Sequence, residues 1–463
     1  MLTIDSLAKR GHQAEDLSYF PCWKKEEAAL ETEVLRSCDM NIMSLPYCHH
    51  GFGIKDGGLT LKAWVSFELE RLHRVRQLAF VKHPFVLSMA GDIDEGLCFD
   101  HSRGMHVLDV MSVITLIAEN NRSELPLSHR TLTPIYNTLR LAALTHDALT
   151  PAGGDTIKTL DPEALDEDAH YFDLFRDPET SEERIALCVK YGVNIHDLTE
   201  TVQGKGLAGT VLDMADKTAY VARDTSQFMN YCFASRRRKV HFPEYAPIAK
   251  LVEKDPWICG WWESVRVKRD YAWVEDGERL GRFLELRLRM FRGLYYHGKR
   301  TMDIILPVVV AGHLYASGQL TRADLLQMSD EQLERRIAKF CGVPHFNLRK
   351  VAPAETCLER FATEAEARQR ERELVASGLP FVHMENIQAP LKPSTNKFLV
   401  KRPGKASLEG FSDAYPAKAE ELQALTRVKQ PFRLCYFRED SLPPDHRKDL
   451  LAYRRKQVGL DQA

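Results

Sequence analysis

Apolar residues recur at three- and four-residue spacing from Trp64 through WVSFELERLHRVRQLAFV, and the same period returns over 105–119 and 135–149. This spacing predicts amphipathic helices in all three stretches. Further helices are predicted at 181–191, 207–233 and 280–316, with Pro and Gly clusters marking the joins. The segment TRADLLQMSDEQLERRIAKF after Gly318 predicts two short helices, with Ser329 or Asp330 as the N-cap of the second. Beyond Val343 the pattern changes. FVHMENI, KFLVKR and FRLCYF are short and β-rich, and a charged helix is predicted at 364–376. Residues 1–60 carry no sustained period and end near the glycine-rich GFGIKDGGL. The expected fold is mostly α: an N-terminal lead-in over 1–60, a helical domain over 61–342, and a smaller C-terminal α+β region over 343–463.

The length of 463 residues fits that division, because a single hydrophobic core stops growing well before this size. With 44% hydrophobic and 28% charged residues and a formal net charge of -2, the chain has material for a large core and no global bias toward polyanions. A phosphate or nucleic-acid site must therefore be local. The 10 cysteines form no CxxC pair, which argues against a secreted disulfide framework and a zinc ribbon and fits reduced thiols. The N-terminus is charged where a signal peptide is apolar, and no run approaches the ~20 apolar residues of a membrane span. The expectation is a cytoplasmic protein without a membrane partner.

Four residues stand out chemically. FDHSRG presents His101, LAALTHDAL places His146 beside Asp147, and LDMADKTAYVARD carries Asp216. Two imidazoles and two carboxylates on separate elements suit one divalent cation with open positions for water and substrate. The donor set is compatible with iron, manganese, magnesium or zinc. A lone His-Asp dipeptide is common on protein surfaces, so the weight rests on the set. On the third element, Asp216, Tyr220 and Asp224 are four residues apart and fall on one helical stripe that could line a pocket.

Four ordered blocks, VRQLAF, FDHSRGMHVLDVM, ALTHD and DKTAYVARD, resemble the HD-domain deoxynucleoside triphosphate triphosphohydrolases, the dNTPase and dGTPase-like family that includes the mammalian SAM-and-HD-domain enzyme. The resemblance runs from about Ile54 to Leu326. It implies a helical HD core and metal ligands His101, His146, Asp147 and Asp216. It further implies that Lys217 contacts the triphosphate, that Tyr220 packs on the deoxyribose, and that Asp224 accepts from the 3′-hydroxyl. Gln77 and Leu78 match a pair near the sugar and base. In LRLRMFRGLYYHGKR, Arg287 matches a phosphate contact and Tyr295 a base-side residue, with His297 and Lys299 following at a less regular spacing. The implied reaction converts a dNTP and water into a deoxynucleoside and tripolyphosphate, and the family implies a homo-oligomer and an activating nucleotide.

The chain departs from the family pattern at three places. Cys98 stands where an arginine usually contacts phosphate, and Thr150 and Asp155 stand where histidines usually follow the His-Asp pair. In DEDAHYFDLF, His170 resembles a later active-site histidine, with Glu167 and Asp168 one turn before it, and His170 with Glu167 nearby is the candidate for general acid or base. Such losses keep two alternatives open: another HD phosphohydrolase, a nucleotidase or phosphodiesterase, or a non-catalytic nucleic-acid-binding or regulatory protein. The basic run Arg236 to Lys239 could touch nucleic acid but reads first as a solvated turn. Trp257, Trp261 and Trp262 read as a packing cluster. Cys48, His49 and His50 are too close in sequence to surround an ion readily.

Overall fold

The computed structural model describes residues 57–77, 101–121, 127–128, 131–132, 134–237, 246–268, 271–296, 298–343, 357–393, 397–405, 407–438 and 442–461. Cys48, His49, His50, Leu78, Cys98 and His297 lie outside these residues, as do Arg238 and Lys239; the side chains of Arg236, Arg237 and Lys299 are likewise not described.

The described chain is mostly α with a small α+β region. The first helix, α1 (Gly57–Ser66), starts earlier than its apolar period suggests and stops at Glu68, whose left-handed φ of 54° breaks the helix. A 3₁₀ turn, Leu69–Arg74, follows and buries Leu69 and Leu72. Helix α2 (Arg103–Asn120) is capped by Ser102, which accepts from the Met105 amide at 3.1 Å. Thirteen of its residues are buried, including Arg103, His106 and Asp109, so it is the central helix rather than an amphipathic surface one. Gly104 is needed here: a Cβ would lie 3.0 Å from the His73 backbone nitrogen.

Helix α3 (Pro134–Thr145) and the long α5 (Gly206–Arg237) pack on α2 and on each other, and α4 (Ile195–Val202) packs on α3 and α5. A buried ion pair joins two of them: Arg223 on α5 clamps Asp109 on α2, with Nη2 to Oδ1 at 2.8 Å. The predicted helix over 280–316 is two helices, α6 (Gly277–Met290) and α7 (Gly298–Ala316), separated by a π-helical turn over Phe291–Tyr295. Ser329 caps α8 (Asp330–Cys341) in a reciprocal capping box with Gln332.

Strands β1 (Val265–Lys268) and β2 (Tyr271–Val274) form a hairpin that the helical reading of this part of the chain passed over, although VRVKRDYAWV shows the two-residue alternation of a half-buried strand. After 343 come β3 (Cys357–Phe361), α9 (Glu364–Ala376), β4 (Val382–Asn386), β5 (Leu399–Lys401), β6 (Leu408–Gly410), α10 (Pro416–Thr426), β7 (Phe432–Tyr436) and α11 (Pro444–Gln457). One antiparallel sheet has the order β3-β7-β4. The other is composite, in the order β1-β2-β5-β6, with β5 parallel to β2. Phe398, Val400, Phe411 and Leu422 accordingly belong to the core of the helical part. Trp261 is fully buried against Phe283 and Phe398, at ring-centroid distances of 5.2 and 5.7 Å, whereas Trp257 is 44% exposed. No described helix is long and apolar enough to cross a membrane.

Candidate metal centre

The His-Asp pair does not lie within a helix as its apolar context predicts. Helix α3 ends at Thr145, and residues 146–149 form turns. Arg71 stabilises this exit by donating from Nη2 to the carbonyls of Ala148 (3.1 Å) and Thr150 (2.9 Å). The turn frees both side chains to face the same side, which adjacent residues inside a helix, about 100° apart, do less readily. His146 Nδ1 sits 2.9 Å from the Ala143 carbonyl, and since a carbonyl only accepts, Nδ1 carries the proton in the neutral ring. Nε2 is then the lone-pair nitrogen, and it is buried without a hydrogen-bond partner.

Around that nitrogen the structure gathers His106, Asp147 and Asp216. The donor atoms of His106, His146 and Asp147 lie within 4.8 Å of one another. Asp216 Oδ1 is 2.9 Å from His106 Nε2 and 3.8 Å from His146 Nε2. The imidazole that the sequence reading assigned to this group, His101, is not among them. His101 precedes the Ser102 cap, in a backbone segment bridged to Arg76, where the Gln77 amide donates to its carbonyl at 2.9 Å; its ring faces Asp224, with Nδ1 3.6 Å from Oδ1. His106 lies inside the first turns of α2, on the stripe shared with Arg103 and Asp109. That buried polar stripe on an apolar helix was the available sequence signal for it.

The electrostatics of the group favour a cation. Burial alone would raise the Asp147 carboxyl, but Arg103, His146 and His106 outweigh it and hold the group well below the usual carboxylate range. Burial similarly opposes ionisation of Asp216, and the His106 hydrogen bond and charge bring it down. For His146 burial acts downward, and Asp147 and Asp216 reverse it, so the ring attracts positive charge. The buried lone pair on His146, the second imidazole and two ionised carboxylates fit a divalent ion.

A charged chain extends from this group. Arg103 donates from Nη1 to both Asp147 oxygens, at 3.2 and 3.0 Å, and its Nη2 lies 3.3 Å from Asp155. Lys158 pairs with Asp155 at 3.0 Å and also with Glu167. Thr150 donates to Asp147 Oδ1 at 3.3 Å. The positions where the resembled family places histidines are thus occupied by an uncharged donor and an ion-pair network. Burial raises Glu167 despite Lys158, and its Oε2 is buried without a hydrogen-bond partner. Asp168, beside Glu167, is pushed up to about 7 by loss of hydration and by the neighbouring Glu167. His170 has both ring nitrogens engaged locally, Nδ1 with Asp173 and Nε2 with the Glu163 carbonyl, each at 3.0 Å.

Asp216 opens onto a second cluster along α5. Tyr220 receives a hydrogen bond from Arg287 Nε at 2.5 Å, and Tyr295 donates to Asp224. The π-helical turn after α6 carries Tyr295 toward α5, where its ring is 6.2 Å from that of Tyr220. Asp224 is fully buried, which pushes it up to about 7, against the pull of the Tyr295 hydrogen bond. Lys217 is buried beside Asp216 and pairs with Asp213. Lys217, Tyr220, Asp224, Arg287 and Tyr295, named separately from two distant segments, therefore form one cluster. Gln77 is half-buried next to His101, with its Oε1 buried.

No protein-family model and no curated protein matches the sequence. The fold is shared with solved structures. A hypothetical protein from Aquifex aeolicus aligns with a TM-score of 0.54 and 17% identity, covering 85% of this chain and 95% of its own. A phosphohydrolase from Bacteroides thetaiotaomicron aligns with a TM-score of 0.54 and 12% identity, covering 81% of this chain and 94% of its own. At these identities the likeness establishes the fold.

Proposed function

We propose that this chain is a metal-dependent phosphohydrolase and that its substrate is a deoxynucleoside triphosphate, cleaved to a deoxynucleoside and tripolyphosphate. The observation that carries the reading is the convergence of the donor atoms of His106, His146 and Asp147, with Asp216 Oδ1 beside both imidazoles and the His146 Nε2 lone pair left for a ligand. A divalent ion held there would polarise a phosphate oxygen and lower the pKa of a bound water. Asp147, fixed by Arg103 and Thr150, and His146, fixed by the Ala143 carbonyl, would hold their donor atoms in place. Lys217 and Arg287 would neutralise the polyphosphate. Tyr220, Tyr295 and Asp224 would receive the sugar, and the buried Asp224 would hydrogen-bond a hydroxyl there. The proton for the leaving 5′-oxygen is assigned to the Glu167–Asp168 pair: Glu167 is joined to Asp147 through Lys158, Asp155 and Arg103 and has a buried Oε2 without a hydrogen-bond partner, and both carboxyls are raised toward their neutral forms, whereas His170 is engaged by Asp173 and Glu163.

The test is product identification. Purified protein is incubated with each dNTP and the matching ribonucleotides in the presence of Mg, Mn, Fe or Zn. Tripolyphosphate and deoxynucleoside are the expected products. Orthophosphate or a nucleoside monophosphate would instead make the chain a different phosphohydrolase, and no turnover with any metal would remove the enzymatic reading.

A further inference from the structure

The C-terminal region reaches the site. Strand β5 joins the composite sheet beside β2, and the residues leading to it are tied to the pocket at two points. Arg287 donates from Nη1 to the Lys392 carbonyl at 3.3 Å. Lys397 Nζ lies 3.7 Å from Asp213 Oδ1. Asp213 is also the partner of Lys217, and Arg287 is also the donor to Tyr220. One carboxylate of α5 is thus shared between a lysine from the helical region and a lysine from beyond residue 343.

The result is a local excess of positive charge on a chain with a net charge of -2. Lys217, Arg287 and Lys397 meet at this end of α5, and Asp213 is the carboxylate that the two lysines share. Lys217 is buried, while the Lys397 side chain is 65% exposed, so its amine is accessible to a ligand. An exposed pair at 3.7 Å is weak and exchanges readily for a more highly charged anion. Lysine binds phosphate as a point charge and needs no fixed fork geometry, so the long side chain can follow the ligand.

We propose that Lys397, supplied by the C-terminal region, is a polyphosphate-binding residue of this site, acting with Lys217 and Arg287 on the end of the substrate remote from the metal. The assignment rests on the reading that the site takes a phosphate ester. It gives the C-terminal region a role in binding substrate.

The experiment is calorimetric titration of the full-length protein with inorganic tripolyphosphate and, separately, orthophosphate, at low ionic strength with divalent metal in excess. Lys397→Ala should weaken tripolyphosphate binding by about tenfold, as expected for loss of one charge-assisted contact. Lys397→Glu should weaken it further, and Lys397→Arg should retain most of it. Orthophosphate affinity should change less than about twofold, and Lys405→Ala, an equal change of charge elsewhere in the C-terminal region, should leave both affinities unchanged. Thermal melting of each variant establishes that the fold is intact. Wild-type-like tripolyphosphate binding in Lys397→Ala and Lys397→Glu would overturn the assignment, as would an equal loss in Lys405→Ala or an absence of tripolyphosphate binding by the wild type. If no ester is hydrolysed with any metal but tripolyphosphate binding still depends on Lys397, the phosphohydrolase reading falls and this assignment stands.

Discussion

The two halves of the site are built differently. The pocket half is a stripe on a single helix: Asp216, Tyr220 and Asp224 are spaced by four along α5, and Arg287 and Tyr295 close on them from α6 and the turn after it. The metal half draws on α2, the end of α3 and α5, with a chain of ion pairs behind it from Asp147 through Arg103, Asp155 and Lys158 to Glu167. A stripe on one helix is set by local geometry and survives changes elsewhere. A convergent cluster depends on tertiary packing and on every charge behind it being balanced. Substitutions in the metal half should therefore be costly and coupled, and those in the pocket half graded and selective.

The largest effect belongs to the metal half. His146→Ala removes the buried lone pair and should lower hydrolysis by about 10³-fold or more, corresponding to the several kcal/mol that a metal supplies to the transition state. Metal content by mass spectrometry should fall in parallel; full activity in a variant with depleted metal would separate the cluster from the chemistry. Next is Asp168→Asn, which should lower kcat by about 10²-fold. A general acid must be protonated, so wild-type kcat should decline as pH rises through the range near the Asp168 value of about 7, and the variant should lose that decline. An unchanged alkaline limb would assign the proton elsewhere.

Arg103→Met tests the coupling itself. It leaves Asp147 ionised and buried without its guanidinium partner, so metal affinity should fall by about 10- to 100-fold. The melting temperature should fall as well, consistent with about 3–5 kcal/mol for breaking a buried pair. An affinity loss without any loss of stability would argue that Arg103 serves the ion alone. The smallest effect is expected in the pocket: Tyr220→Ala should leave metal content intact and relax discrimination against ribonucleotides by about tenfold, read as the ratio of kcat/KM for dNTP and NTP. A uniform loss for both sugars would reduce Tyr220 to packing.

The same contrast explains what could be read from the sequence. The mostly α fold was legible because long apolar periods at 3.6-residue spacing admit few other solutions, and the pocket stripe was legible because spacing by four fixes a helical face. His146, Asp147 and Asp216 could be named from local text. For His106 the local text offered only the polar stripe it shares with Arg103 and Asp109, and choosing between it and His101 requires knowing where α2 begins: with Ser102 as the cap, His101 falls in the bridged segment before the helix and His106 in its first turns. The Arg103–Asp155–Lys158–Glu167 chain was invisible for a related reason, since Arg103 is distant in sequence from Asp155, through which it meets the other two. The approach of Lys397 to Asp213, across more than 180 residues of chain, depends on the parallel pairing of β2 with β5, which no local pattern encodes.

The central claim is the identity of the metal ligands, and crystals grown with Mn²⁺ and measured for anomalous scattering test it most directly. The account predicts one anomalous peak bonded to His106, His146, Asp147 and Asp216, with His101 remaining on Asp224. A peak coordinated by His101 with His106 turned away, or no peak between α2, α3 and α5, would contradict it.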